Sequence, residues 1–169
     1  GPSLGSTPKD ILAVRGTMNL YHYRPMADEI YRVPILIVMA TTNRGYILDL
    51  VPGQSFIEFL LKRGYDVYML DWTAPKPEEK SLRMEDYVLD FIPDCIRRVQ
   101  QDSGEKDVSI IGYCFGGVLS LLYSALHDGA ALFTHGDEVG FVLASSNEWD
   151  GLLAEAIEDL EIQDRTIMI

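Results

Sequence analysis

The chain of 169 residues is long enough for one domain, and its 47% hydrophobic and 24% charged residues are typical of a globular protein. The net charge of −12 argues against a nucleic-acid partner, because binding phosphates requires a basic face. The longest apolar runs are about as long as VPILIVMA (33–40), far short of the ~18 residues of a membrane span. No secretory signal precedes them, and Cys95 and Cys114 match neither a disulfide framework nor a zinc-ligand spacing. We therefore expect a cytoplasmic protein with no cofactor, metal ion or membrane span.

The predicted elements alternate between strands and helices, after an opening stretch (1–6) that resembles a cloning scar. The predicted strands are MNLYHY (18–23), VPILIVMA (33–40), YDVYML (65–70) and VSIIG (108–112). The predicted helices are FIEFLLKR (56–63), capped by Ser55 and ended by Gly64, an apolar-faced helix from Tyr87 to Val99 with a kink at Pro93, and one from Gly116 to Leu126. The stretch APKPEEK (74–80) is predicted to be a loop, because its prolines interrupt helices and central strands. Strands separated by helices indicate a parallel sheet.

The junction between the last of these strands and its helix carries a Gly-x-Cys-x-Gly motif, from Gly112 to Gly116. Enzymes with Gly-x-Ser-x-Gly at such a junction use the serine as a nucleophile, on a sharp turn above the sheet edge. A cysteine in that place stands at the positive end of the helix, which favours the nucleophilic thiolate. The alternative is that Cys114 is a small buried residue in a glycine-rich packing turn, as free cysteines often are. The strand before the motif and the helix after it favour the nucleophile.

Three segments of the chain resemble the poly(3-hydroxyalkanoate) synthases. They are RVPILIVMATTNRGYILDLVPGQSFIEFLLKRGYDVYMLDW (32–72), EDYVLDFIPDCIRRV (85–99) and IIGYCFGGVLSLLYSALH (110–127). The resemblance is greatest to the catalytic subunit of the two-subunit, class III type, and it extends from about Thr7 to His127. It implies that residues 7–127 are the N-terminal half of an α/β-hydrolase-like catalytic domain, with a mostly parallel sheet and a nucleophile elbow. It also implies transfer of 3-hydroxyacyl groups from coenzyme A thioesters to a polymer, with a second synthase subunit and the polymer granule surface as partners.

The resemblance assigns roles to a few residues. Cys114 matches the nucleophile of the family, and the backbone N–H of Phe115 would be one oxyanion donor. A second donor would come from the loop after the buried strand, where Thr42 and Asn43 are the candidates. The family also uses a histidine that activates the cysteine and an aspartate that helps deprotonate the attacking hydroxyl. Both belong to the C-terminal half of its catalytic domain, to which nothing after His127 corresponds.

The remaining residues, 128–169, are predicted to be an acidic tail of different origin, with ten acidic residues and one basic residue. The pattern predicts two short strands joined at HGDEVG (135–140), a helix capped by Ser145 and Glu148 with an apolar face from Leu152 to Leu160, and a final strand in RTIMI. His135 and Asp137 are candidates for a replacement base and acid. The simpler interpretation is that both are ordinary turn residues of a hairpin.

Three other polar residues, His22, His127 and Asp71, could belong to a site or have only a structural role. His22 lies between tyrosines on the first predicted strand, and His127 ends the helix after Cys114, so neither is expected to be its base. Asp71 follows the strand YDVYML, at the edge of the sheet where α/β proteins build their sites. The alternative is that it only orients the loop around Trp72.

Three functions remain open on the sequence. The first is a fragment or shortened form of the synthase, acting through Cys114 on 3-hydroxyacyl-coenzyme A. The second is a non-catalytic or chimeric assembly or binding protein built on half of the fold. The third is a small cysteine thioester hydrolase with a rebuilt triad. Half of such a sheet leaves an apolar edge, so we expect the tail, or a second copy in a homo-oligomer, to cover it.

Overall fold

The structure is a computed structural model that describes residues 3–127, 139–144 and 167–168. The strands are β1 (Lys9–Arg15), β2 (Met18–Tyr23), β3 (Ile35–Val38), β4 (Asp49–Val51), β5 (Gln54–Ser55), β6 (Val67–Trp72), β7 (Val108–Tyr113), β8 (Val139–Ala144) and β9 (Ile167–Met168). The α-helices are α1 (Phe56–Lys62), α2 (Met84–Asp86), α3 (Ile92–Ser103) and α4 (Phe115–Leu126). Short 3₁₀ turns cover Gly45–Leu48 and Pro77–Glu79, and a π-helical turn covers Tyr87–Phe91.

Seven of the strands form one sheet in the order β1-β2-β6-β3-β7-β8-β9, while β4 and β5 pair separately. Strand β2 is antiparallel to both β1 and β6, and every pair from β6 to β9 is parallel. Strand β3 lies in the middle, and its four residues, Ile35–Val38, are completely buried. An apolar run covered on both faces is what a central parallel strand requires. The predicted mostly parallel sheet is therefore confirmed.

The tail continues this sheet. Strand β8 pairs in parallel with β7 along its whole length, from Val108 opposite Val139 to Tyr113 opposite Ala144. The predicted final strand in RTIMI is also present, as β9, and it pairs with β8. The tail thus covers the edge of β7, as expected for an apolar edge that must be paired. Val139 and Gly140, predicted to lie in the hairpin turn, are instead part of β8, whose described partners are both parallel. The first predicted strand of the hairpin, the capped helix and the boundary at residue 128 lie outside the described residues.

The N-terminal part contains structure that the sequence patterns missed. Strand β1 was not predicted, because KDILAVR does not alternate strictly and a bulge interrupts its register between Ile11 and Ala13. The stretch VPGQS (51–55) includes the end of β4 and all of β5, a pair that the sequence patterns did not indicate. The stretch APKPEEK holds a 3₁₀ turn within the predicted loop. The backbone N–H of Gly5 donates to the carbonyl of Asp49 at 2.6 Å, so part of the opening stretch contacts the fold.

A capping serine and a proline help to define where two of the helices begin. The hydroxyl of Ser55 accepts a hydrogen bond from the N–H of Glu58 at 3.0 Å, which confirms the predicted cap of α1. Near Pro93, where the sequence predicts a kink or a new helix start, a π-helical turn ends and α3 begins, and the proline sits in the first turn of α3, where its missing N–H is tolerated. None of the described helices has the length and apolar character needed to cross a bilayer.

Candidate active site

The turn after β7 places Cys114 in a strained backbone conformation. Its φ is 53° and its ψ is −123°, and it is the one non-glycine residue with positive φ in the described part of the chain. L-residues rarely adopt this region, at a cost of about 1–3 kcal/mol, and they keep it only where the surrounding structure imposes it. The carbonyl of Cys114 accepts a hydrogen bond from the N–H of Gly117 at 2.9 Å, which fixes the start of α4 directly after the turn. The geometry is that of a nucleophile elbow.

Two glycines allow this turn to form against its neighbours. A Cβ on Gly112 would lie 2.4 Å from the Cα of Gly117, and a Cβ on Gly116 would lie 2.0 Å from the carbonyl oxygen of Val38. The first turn of α4 therefore rests directly on the backbone at the end of β3, with no room for a side chain. This is the physical reason for glycine at both ends of the motif.

The two cysteines have opposite environments. Cys114 is exposed, so the interpretation as a buried packing residue is wrong. Cys95 is completely buried on α3, with its Sγ 3.3 Å from the Sδ of Met18. Burial raises the pKa of the Cys95 thiol to about 12, which keeps it protonated and unreactive at neutral pH. Of the two thiols, Cys114 is the one that a solution reagent can reach.

The loop after β3 contains the two candidate oxyanion donors. The backbone N–H of Asn43 donates to the carbonyl of Ala40 at 3.3 Å, so this amide closes a turn within the loop. Thr42 is exposed at the tip of that turn, which makes it the better candidate of the two. Phe115 is the first residue of α4, and the first amides of a helix have no intrahelical acceptor. Because Gly116 contacts the end of β3, the loop and the elbow lie side by side.

Residues at the end of β6 tie this loop down. The indole N–H of Trp72 donates to the carbonyl of Met39 at 2.8 Å. Asp71 accepts from the backbone N–H of Gly45 at 3.0 Å and from that of Trp72 at 2.9 Å. Burial nevertheless raises the pKa of Asp71, because desolvation of its carboxylate outweighs these two donors. Asp71 thus binds both the loop after β3 and the backbone of Trp72, the residue named in the more modest interpretation of the sequence.

The described residues bring no imidazole to Cys114. His22 lies in a cluster with Asp66 and Asp102, at the amino end of the parallel strands. His127 ends α4, and its Nδ1 lies 2.9 Å from the carbonyl oxygen of Tyr123. His135 and Asp137, the candidate base and acid, lie outside the described residues, so their roles remain predictions.

A surface cavity of about 320 Å³ lies at the end of the loop after β3. Its lining includes Lys9, Tyr21, Arg44, Tyr46 and Asp71, but not Cys114, Phe115, Thr42 or Asn43.

Two sequence profiles match the chain. The profile of the α/β-hydrolase fold matches residues 34–158, and the profile of the poly-β-hydroxybutyrate polymerase (PhaC) N-terminus matches residues 1–60. The first covers more than half of the chain. The second includes the opening stretch that resembles a cloning scar.

Curated proteins named poly(3-hydroxyalkanoate) polymerase subunit PhaC are similar to this chain. The protein from Haloferax mediterranei is 41% identical over 124 residues, which are 73% of this chain and 25% of that protein. The one from Allochromatium vinosum is 39% identical over 125 residues, 73% of this chain and 35% of that protein. The one from Synechocystis is 36% identical over 123 residues, 73% of this chain and 32% of that protein. The chain spans about a quarter to a third of the length of these relatives.

Solved structures share the fold at low sequence identity. A monoglyceride lipase variant from Saccharomyces cerevisiae has a TM-score of 0.52 at 13% identity, over 83% of this chain and 45% of its own. A sugar hydrolase from Lactococcus lactis has a TM-score of 0.51 at 15% identity, over 80% and 52%. These likenesses concern the fold alone. Together with the profile match and the parallel sheet with its elbow, they establish that the chain belongs to the α/β-hydrolase fold family, and its sequence is similar to a partial segment of the poly(3-hydroxyalkanoate) polymerases.

Proposed function

We propose that the chain carries the nucleophile-bearing part of a poly(3-hydroxyalkanoate) synthase, in which Cys114 takes a 3-hydroxyacyl group from coenzyme A. The observation that carries the proposal is the exposed Cys114 on a strained turn, between two glycines that admit no side chain. The similarity to poly(3-hydroxyalkanoate) polymerases supports the choice of substrate. Since the chain spans only part of these relatives, the activity of the whole enzyme is part of the proposal.

The proposed step is a thioester exchange. Cys114 first loses its proton to the solvent, and its thiolate then attacks the thioester carbonyl carbon, so that the carbonyl oxygen becomes an oxyanion. The backbone N–H groups of Phe115 and Thr42 donate to that oxyanion. The carbon–sulfur bond to coenzyme A then breaks, coenzyme A leaves as a thiolate that takes up a proton, and the acyl group remains on Cys114. One thioester replaces another, so the step is close to neutral in energy, whereas a serine would form the more stable oxygen ester.

Continued turnover requires a base, and the described residues place none beside Cys114. A positioned base is typically worth ~10²–10⁴ in rate. We therefore expect slow acylation, about once per chain, without polymer elongation at a useful rate. His135 and Asp137 would have to supply the missing base and acid if turnover were sustained.

The test is intact-mass spectrometry of the purified chain incubated with 3-hydroxybutyryl-coenzyme A. A single acyl adduct mapped to Cys114, absent in Cys114→Ala and at most a trace in Cys114→Ser, would support the proposal. Cys95→Ala is the matched control and should acylate like the unchanged chain, because its thiol is buried. Absence of an adduct, with free thiol at Cys114, would favour the assembly or binding protein instead.

His135→Ala separates the remaining alternatives. If His135 is a turn residue, this substitution leaves the acylation rate unchanged. Sustained release of coenzyme A without polymer, abolished by His135→Ala, would identify a thioester hydrolase with a rebuilt triad. Sustained polymer formation that is lost in His135→Ala would show that the tail completes the synthase site.

A further inference from the structure

We infer that Trp72, assisted by Asp71, is a positioning residue that holds the loop after β3 against the elbow; the inference rests on the proposed acyl transfer at Cys114. The loop comprises residues 39–45 and contains Thr42, the proposed second oxyanion donor. An oxyanion donor contributes only if it is held about 3 Å from where the charge develops. The geometry assigns this task to two consecutive residues at the end of β6.

The first attachment fixes the start of the loop. The indole N–H of Trp72 donates to the carbonyl of Met39 at 2.8 Å, in a buried position. The same Met39 carbonyl group also packs closely against the elbow. A Cβ on Gly116 would come within 2.8 Å of both its carbon and its oxygen. The Met39 peptide is therefore held between the indole of Trp72 and the first turn of α4.

The second attachment fixes the end of the loop. One carboxylate oxygen of Asp71 accepts from the N–H of Gly45 at 3.0 Å, and the other accepts from the N–H of Trp72 at 2.9 Å. The guanidinium of Arg44 also donates to the carbonyl of Trp72. Met39 at the start of the loop and Gly45 at its end are thus bonded to Trp72 and Asp71. Thr42 and Asn43 lie between these two fixed points.

The indole itself is rigidly held. Its ring meets the rings of Tyr87 and Phe91 edge-on, with centroids 5.0 and 5.8 Å away. Both rings belong to the π-helical turn before α3, and π-helical turns in α-helices occur frequently at functional sites. A contact path therefore runs from this turn through Trp72 to the Met39 carbonyl and the elbow. Movement of the indole would move the loop relative to Cys114.

The test compares two reactions of the same thiol. Acylation of Cys114 by 3-hydroxybutyryl-coenzyme A develops an oxyanion, whereas alkylation by iodoacetamide does not. Trp72→Phe removes the indole N–H and keeps an aromatic ring, and Asp71→Asn keeps the shape but alters the acceptor pair. We expect each to slow acylation about 10–100-fold, as a misplacement of the order of 1 Å does, and to leave the alkylation rate of Cys114 unchanged. Asp71→Asn serves as the independent variant if Trp72→Phe does not fold.

Tyr68→Phe is the matched control. It removes one polar atom from a buried aromatic ring on the same strand, but its hydroxyl bonds to Asp102, at the opposite end of β6. In Tyr68→Phe, the rates of acylation and of alkylation of Cys114 should both equal those of the unchanged chain. If the unchanged chain and both variants acylate at the same rate, the inference is overturned while the proposed function stands. The same follows if acylation and alkylation fall together, because the elbow itself is then disturbed. A failure of the unchanged chain to acylate would overturn the proposed function, and the inference with it.

Discussion

The two ends of the parallel strands use polar groups in opposite ways. At the amino end, His22 is bound on both ring nitrogens, by Asp66 at 2.6 Å and by Asp102 at 3.1 Å. The hydroxyl of Tyr68 donates to Asp102 at 2.8 Å, and its ring stacks on His22 with centroids 4.0 Å apart. At the carboxyl end, Cys114 stands exposed on a strained turn. One end binds its polar side chains to one another, and the other presents a thiol to the solvent.

The polar cluster at the amino end therefore contributes to stability, and the exposed thiol is at the opposite end of the same sheet. A polar group whose hydrogen bonds are made within the protein helps to stabilise the fold. A thiol on a strained turn costs stability and is retained only where the surrounding packing imposes it. His22, Asp66 and Asp102 belong to the end that binds its polar groups internally. The proposed nucleophile is instead the exposed Cys114 at the carboxyl end.

The largest expected effect is the difference in reactivity between the two cysteines. With iodoacetamide at neutral pH, Cys114 should alkylate about 10³-fold faster than Cys95, because Cys95 is buried and its pKa is raised to about 12. Peptide mapping of the native protein after short labelling measures the ratio. In denaturant the two rates should converge. Equal rates in the native protein would mean that the elbow is not formed.

The next effect concerns the packing of the elbow. Gly116→Ala should destabilise the protein by about 3 kcal/mol, because the added methyl group would lie 2.0 Å from the carbonyl oxygen of Val38 and force α4 away from β3. Acylation of Cys114 should fall with it. Urea unfolding gives the change in free energy.

A matched glycine away from the elbow provides the comparison for that substitution. Gly104 ends α3 with a φ of 73°, and a Cβ there would meet no atom within 4 Å. Gly104→Ala should therefore cost only the backbone strain, about 1–2 kcal/mol, and leave acylation unchanged. If both substitutions cost the same, close packing is not what the elbow glycine provides.

The smallest effect tests the amino end. Burial lowers the pKa of His22, but the hydrogen bond to Asp66 and the charges of Asp66, Asp102 and Asp10 outweigh burial and raise the pKa overall. A raised pKa in the folded state means that the contribution is complete below the unfolded value, ~6.5, and is lost as the pH rises through the folded value. His22→Gln should therefore reduce the free energy of unfolding by about 1–2 kcal/mol at pH 6.

The pH profile distinguishes a charged imidazole from simple packing. Urea unfolding from pH 5.5 to 8.5 should show the difference between His22→Gln and the unchanged protein shrinking toward alkaline pH. Acylation at Cys114, adjusted for the intrinsic pH dependence of the thiol, should be the same in both proteins. A difference that does not vary with pH would contradict the charged pair and leave only the stacking on Tyr68.

The sequence by itself determined the features that depend on local spacing. The apolar run around Ile35–Val38 required a strand covered on both faces, and Ser55 with Glu58 marked the start of α1. The glycines at 112 and 116 located the turn, because only a residue without a side chain fits where two backbones meet. Strand β1 was missed because its apolar residues do not alternate, and pairing with β2 decides its conformation.

The tertiary structure alone decided which distant groups meet. Trp72 binds the carbonyl of Met39, 33 residues away, and His22 binds Asp66, 44 residues away. Strand order and register set these pairs, and a sequence pattern gives the face of a strand but not the partner across it. For the same reason, the placement of β8 beside β7, at the edge next to Cys114, followed from the fold and not from the tail's own pattern.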